Sequence, residues 1–231
     1  MNVTLRPCLR RPLFAVCAFA LAVALASPLS AAGKATSDDG AEAQQPSLSD
    51  EERAEILTML DETEARLREL TEGLSEEQWT WKSAPDRWSV GECAEHILLS
   101  EAALLDTARQ ALASPAVEDW AERTAGKEQM LRQVMPNRRP GGGGATAPQE
   151  IAPSGELSRD ETLERFAAQR KEVREFVEQL SAPVRAHLAP HPFPIFGELS
   201  AYEWVLYIPL HTVRHTRQLI EVQESEGYPE G

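Results

Sequence analysis

Cysteine is scarce in this sequence: three in 231 residues, at Cys8, Cys17 and Cys93. Aromatic residues make up only 6%, and basic side chains are outnumbered, 23 Lys and Arg against 37 Asp and Glu. At a formal net charge of −14 the chain gains nothing from counterion release on a polyphosphate, which excludes nucleic-acid binding. The longest apolar run, Leu13 to Ala26, falls short of the roughly 20 residues that span a bilayer. No stretch alternates apolar and polar residues convincingly, so a sheet is not expected. What remains is helical periodicity and, with 42% hydrophobic residues, enough apolar surface for one domain with a real core.

The apolar run has the setting of a secretory signal peptide. Arg6, Arg10 and Arg11 precede it, and Ser30-Ala31-Ala32 follow, so residues 1–32 read as a signal cleaved before Gly33. The competing reading, an uncleaved anchor, is disfavoured by the shortness of the run. Neither Cys8 nor Cys17 lies in a lipoprotein context. Cleavage removes three arginines and no acids, taking the net charge from −14 to −17. It leaves Cys93 alone, so no intrachain disulfide can form in an exported, periplasmic or secreted chain. No stable membrane insertion is then expected.

Residues 33–47 are small, polar and non-periodic, a flexible leader. Beyond them one device recurs four times, Ser followed three residues later by Glu: Ser49/Glu52, Ser89/Glu92, Ser158/Glu161 and Ser200/Glu203. In such a capping box the two side chains satisfy the free amides of a helix start. Each opens a segment with apolar residues three and four apart, predicting helices over about 50–72, 90–113, 159–180 and 201–224. Four helices and no strand predict an all-α fold, a four-helix bundle over 48–225, with a short tail at 226–231. A long insertion, 118–157, separates the second and third helices. Its first part has room for one short helix, whereas 136–150, "PNRRPGGGGATAPQE", reads as a mobile loop that cannot pack. The tryptophan-rich loop 76–90 reads as a seal on one end of the bundle.

All five histidines lie in the mature part: His96, His187, His191, His211 and His215. His211 and His215 are four apart and share a helix face, while His96 lies within the second helix. Inward faces of two helices can bring the three imidazoles together. Spacing alone leaves two readings open, hydrogen-bonded core histidines or three ligands of a metal with a fourth position free. Glu92 and Gln218 are placed by spacing to support the rings, and Pro209 is expected to bend the fourth helix just before His211. Cys93 reads as a small buried hydrophobe rather than a ligand. His187 reads as a surface residue. His191 reads as a loop histidine packed on prolines or, alternatively, an acid/base or substrate contact at the metal mouth. By helical angle Arg214 and Arg217 point away from the histidine pair, and Glu161, Glu164, Glu172, Glu175 and Glu178 form a solvated outer face.

Two stretches, "WSVGECAEHILLSE" and "HPFPIFGELSAYEWVLYIPLHTVRHTRQL", carry a wider likeness. The Trp-Ser-x-x-Glu-x-x-x-His helix start, the Phe/Gly turn, the Glu-Trp pair and the H-x-x-x-H followed by Arg-Gln resemble the DinB/YfiT-like family of metal-binding four-helix bundles, over roughly residues 48–222. The resemblance implies a metal triad of His96, His211 and His215 binding zinc or nickel, both suited to imidazole. It also implies thiol-dependent transferase, isomerase or hydrolase chemistry on a small molecule. Low-molecular-weight thiols are cytosolic, so export favours hydrolysis, with no catalytic side chain assigned beyond a water on the metal and His191. The alternative is a non-catalytic, stress-associated bundle in which the ion is structural. A homodimer is left open. The long insertion, the signal peptide and Pro209 depart from the family pattern.

Overall fold

The computed structural model describes residues 45–138 and 147–231. The signal-peptide reading of 1–32, most of the leader, and the glycine run at 141–144 lie outside the described residues. What is described falls within one unit, Glu42–Gly231.

Four long helices form where the capping residues indicate: α1 (Asp50–Thr71), α3 (Val90–Ala113), α6 (Arg159–Gln179) and α7 (Ala201–Gln223). At Ser49, Ser89 and Ser200 both halves of the capping box are made. At Ser158 only the serine half is present. A further box, Ser75 with Gln78, opens the short helix α2 (Glu76–Thr80) inside the tryptophan-rich loop. Its Trp79 is buried, so this segment does close one end of the bundle. α7 runs through Pro209 as one helix.

The helices pack as a ring, α1 against α6, α6 against α3, α3 against α7 and α7 against α1, with α3–α7 the most extensive interface. Their apolar stripes form two clusters. One is built around Leu60, Leu105, Val173 and Ile208, the other around Leu67, Ile97, Phe166 and Leu219. Between them in sequence on every helix lies a buried polar residue: Thr63, Glu101, Arg170 and Thr212. Arg170, 0% exposed, pairs with Glu101, 2% exposed, at 2.7 Å, and donates to Leu60 O at 2.8 Å and Thr63 Oγ1 at 2.9 Å. Burial pushes Glu101 up and Arg170 down in pKa, while each ion draws the other toward its charged form. Such a pair needs further hydrogen bonds, and Arg170 makes them through its terminal nitrogens, while Glu101 Oε1 and Arg170 Nε stay buried without a partner.

The connections depart from expectation in three places. The insertion carries two helices before residue 138, α4 (Trp120–Arg123) and α5 (Lys127–Val134). Its later part packs as well: a 3₁₀ turn at Gln149–Ile151 lies on α3, and Pro136 O and Asn137 O accept from Arg217 and Arg214. The reading of 136–150 as a loop that cannot pack therefore fails at both described ends, where α7 side chains donate to Pro136 O and Asn137 O and the 3₁₀ turn rests on α3. The proline-rich connection holds a small antiparallel hairpin, β1 (Leu188–Pro190) with β2 (Glu198–Ser200). Three-residue strands are too short to show alternation in the sequence. The tail is also tied down, with Tyr228 edge-on to Trp81 and Pro229 O accepting from Gln78. Among the described residues no helix is long and apolar enough to cross a membrane.

Candidate metal centre

The α3–α7 interface brings His96, His211 and His215 together. One ring nitrogen from each lies within 4.8 Å of the others. Ring centroids are 4.4 Å apart for His96–His215 and His211–His215, and 5.3 Å for His96–His211. The two α7 rings share a face because they are one turn apart, and α3 supplies the third from the opposing helix.

Proton positions follow from the partners. His96 Nδ1 lies 2.7 Å from Ile151 O, a pure acceptor, so Nδ1 carries the proton and Nε2 keeps a lone pair. His215 Nδ1 donates to Gln218 Oε1 at 2.9 Å, with the same consequence. His211 stacks on Tyr207, centroids 5.8 Å apart. Burial, and then repulsion between neighbouring imidazoles, hold His211 and His215 well below the ordinary histidine pKa, and burial lowers His96. Three neutral imidazoles in one cluster, two of them with Nδ1 protonated and Nε2 left with its lone pair, suit a divalent cation. The donor set suits a divalent transition-metal ion and does not identify which one.

The supporting residues are only partly those expected. Gln218 holds His215 as foreseen. Glu92 does not face the site: Oε2 accepts from Ser89 N at 2.8 Å and Oε1 pairs with Lys82 at 2.7 Å. The capping box and the lysine occupy both oxygens. Glu95, which spacing did not single out, takes part instead. It is buried, and its carboxylate accepts from Ser154 N at 3.0 Å, Ser154 Oγ at 2.8 Å and Gly155 N at 2.8 Å. These bonds fasten to α3 the segment whose Ile151 carbonyl receives the His96 proton. Trp88, just before the α3 N-cap, covers the site with its ring 4.7 Å from His96.

The histidines open onto a cavity of about 890 Å³ whose walls include Trp88, Phe193, Ile195, Tyr207 and Met135. His191 lines it too, stacked on Trp204 with centroids 5.0 Å apart. Its Nδ1 accepts from Phe193 N at 3.0 Å, so the proton sits on Nε2, and burial lowers its pKa to about 4. Near neutral pH it is a hydrogen-bond donor and a poor base. Arg214 also lines this cavity, contrary to the helical-angle reading. Helical angle fixes only the Cα–Cβ direction, and the long side chain swings back toward Asn137. Arg217 stays exposed as expected. Cys93 is fully buried in the apolar cluster, its thiol pKa pushed far up by burial, and stands outside the triad. His187 is half-buried and donates to Ser114 O at 2.7 Å, a structural tie rather than a surface position. The five glutamates of α6 are exposed, as expected of a solvated face.

A sequence model described as the DinB superfamily matches residues 59–219. The uncharacterized protein YuaE of Bacillus subtilis (strain 168) is 25% identical over 165 residues, covering 70% of this chain and 94% of that protein. No solved structure matches significantly.

Proposed function

The chain belongs to the DinB superfamily, and on that premise we propose that it is an exported metal-dependent hydrolase acting on a small molecule. His96, His211 and His215 would hold zinc or nickel with one coordination position open to the cavity. The supporting observation is the convergence of three neutral imidazoles within 4.8 Å, two of them oriented by acceptors at Ile151 and Gln218. A divalent ion so placed supplies Lewis acidity and activates water near neutral pH.

The chain's own residues do the rest. Trp88 screens the rings from bulk water, and the aromatic wall desolvates a bound substrate. His191 offers its Nε2–H to a substrate oxygen and leaves base chemistry to the histidine-held centre. Export rests on Arg6, Arg10 and Arg11 ahead of the apolar run Leu13–Ala26, and it weighs against chemistry that depends on cytosolic thiols.

The alternative, an ion that only staples the bundle, is disfavoured by the two apolar clusters, which supply a core without it. The test is elemental analysis of the purified protein and of His211→Ala and His215→Ala, with circular dichroism before and after chelation. Stoichiometric metal in the parent, its loss in both variants and retained helicity are expected. Unfolding on chelation would favour the structural ion. Full occupancy in the variants, or loss of metal in His187→Ala, would mean that the ligands are wrongly assigned.

A further inference from the structure

The cavity carries one guanidinium, Arg214, that forms no ion pair among the described residues, Glu221 acting on it only at longer range. Arg214, adjacent to His215, is half-buried and lines the cavity. One of its N–H groups donates to Asn137 O at 2.5 Å, and among the described residues no carboxylate lies within ion-pair distance of it. A guanidinium has five donors in a planar fork, so most of its hydrogen-bonding capacity is left over. The other cations of the lining are engaged. Arg138 pairs with Glu221 at 3.1 Å, and Arg87 has partners of its own. The acids of the lining, Asp86 and Glu150, are exposed to water. Withdrawing a guanidinium from water without a counter-ion is costly, and here it happens in a chain of net charge −14 beside the histidine triad.

A second observation is independent of charge. Only two large hydrophobic residues among those described are exposed, Val134 at 41% and Ile195 at 68%, and both line this same cavity. With Phe193 and solvent-facing Ile195 also in the lining, the site joins one cation without an ion-pair partner to an apolar wall left open to water.

We infer, on the premise that the histidine triad is the reacting centre, that the substrate is a small monocarboxylate with an apolar body. Its carboxylate meets the Arg214 fork, its body lies along Val134, Phe193 and Ile195, and the remainder comes within reach of the histidines. The planar guanidinium fork matches the bidentate geometry of a carboxylate, and the apolar wall suits an apolar body.

Isothermal titration of the protein with 4-phenylbutyrate and with its uncharged amide tests this, on metal-loaded and on chelated samples. The acid is expected to bind about tenfold or more tightly than the amide in both. Arg214→Met and Arg214→Gln, the latter keeping a donor for Asn137, should abolish the preference at unchanged metal content. Arg217→Gln removes the neighbouring tie to Pro136 without touching the cavity charge and should keep it. Equal binding of acid and amide overturns the inference. So does a preference that survives in both Arg214 variants but vanishes on chelation, since the carboxylate would then sit on the metal. Tighter binding of 3-phenylpropyl phosphate than of the acid overturns the choice of head group. A parent without stoichiometric metal sinks the triad assignment instead, and the acid-over-amide comparison on that metal-free protein still decides the role of Arg214.

Discussion

His96 and Ile151 stand 55 positions apart in sequence, yet the imidazole Nδ1–H meets the isoleucine carbonyl at 2.7 Å. That bond selects the tautomer in which Nε2 holds the lone pair. It exists because Glu95, the residue before His96, fastens Ser154 and Gly155 to the same helix. Glu95→Ala should therefore release the Ile151 segment and weaken zinc binding by about 10- to 100-fold, with helix content preserved. Gln218→Leu, which deprives His215 of its acceptor, should act in the same direction. Competition with a chromophoric chelator measures both. Unchanged affinity in the two variants would show that ring orientation does not depend on these partners.

Gly91 is the second residue of α3, and Gly91→Ala reverses the usual preference of a helix for alanine over glycine. A Cβ at position 91 would stand 2.6 Å from Trp79 Nε1, and that indole is fixed by its bond to Leu157 O at 3.1 Å. The variant is expected to be less stable by roughly 1–3 kcal/mol, read from urea unfolding. A stabilised variant would mean that the tryptophan moves aside freely.

The polar layer across the bundle predicts a non-additive pair of changes. Glu101→Leu alone strands the fully buried Arg170 guanidinium, and Arg170→Met alone strands Glu101. Each should cost about 3–5 kcal/mol. The double variant should recover most of that loss, because apolar side chains would join the two clusters on either side. Denaturant midpoints of the three proteins form the cycle, and additive losses would refute the coupling.

Glu203, the capping partner of Ser200, is buried, and that burial raises its carboxyl pKa from 4.5 to about 7. With the folded value above the unfolded one, the native state holds more protons over this interval. Stability then falls as pH rises from about 4.5 to about 7, by up to about 1.4 kcal/mol per pH unit. Glu203→Gln keeps an acceptor for Ser200 N–H but cannot ionise, so its stability should vary less across that window and exceed the parent's at neutral pH. Parallel pH profiles of unfolding for the two proteins would show that Glu203 does not titrate there.

The long helices were legible because serine-capped starts and three-to-four spacing act within a single turn, and Ser49, Ser89 and Ser200 mark starts that the fold uses. That the three histidines could meet was legible for a similar reason, since H-x-x-x-H is local and His96 needed only the inward face of its helix, whereas reading them as ligands rested on the family resemblance. The partners of the triad were not. Glu92 looked right by spacing but answers to its own cap and to Lys82, whereas Glu95 and Ile151 act through a tertiary contact with the insertion. Arg214 was misplaced because a helical wheel locates Cβ and says nothing about where four further bonds carry the guanidinium.

One backbone oxygen of the insertion reaches the heart of the bundle, so this segment is wired to the site it borders. A shortened version of the chain lacking residues 149–155 would still assemble its four rods, but His96 would be free to spin and to exchange its proton between nitrogens. Changes in the length of this excursion would then retune the grip on the cation and the shape of the entrance together.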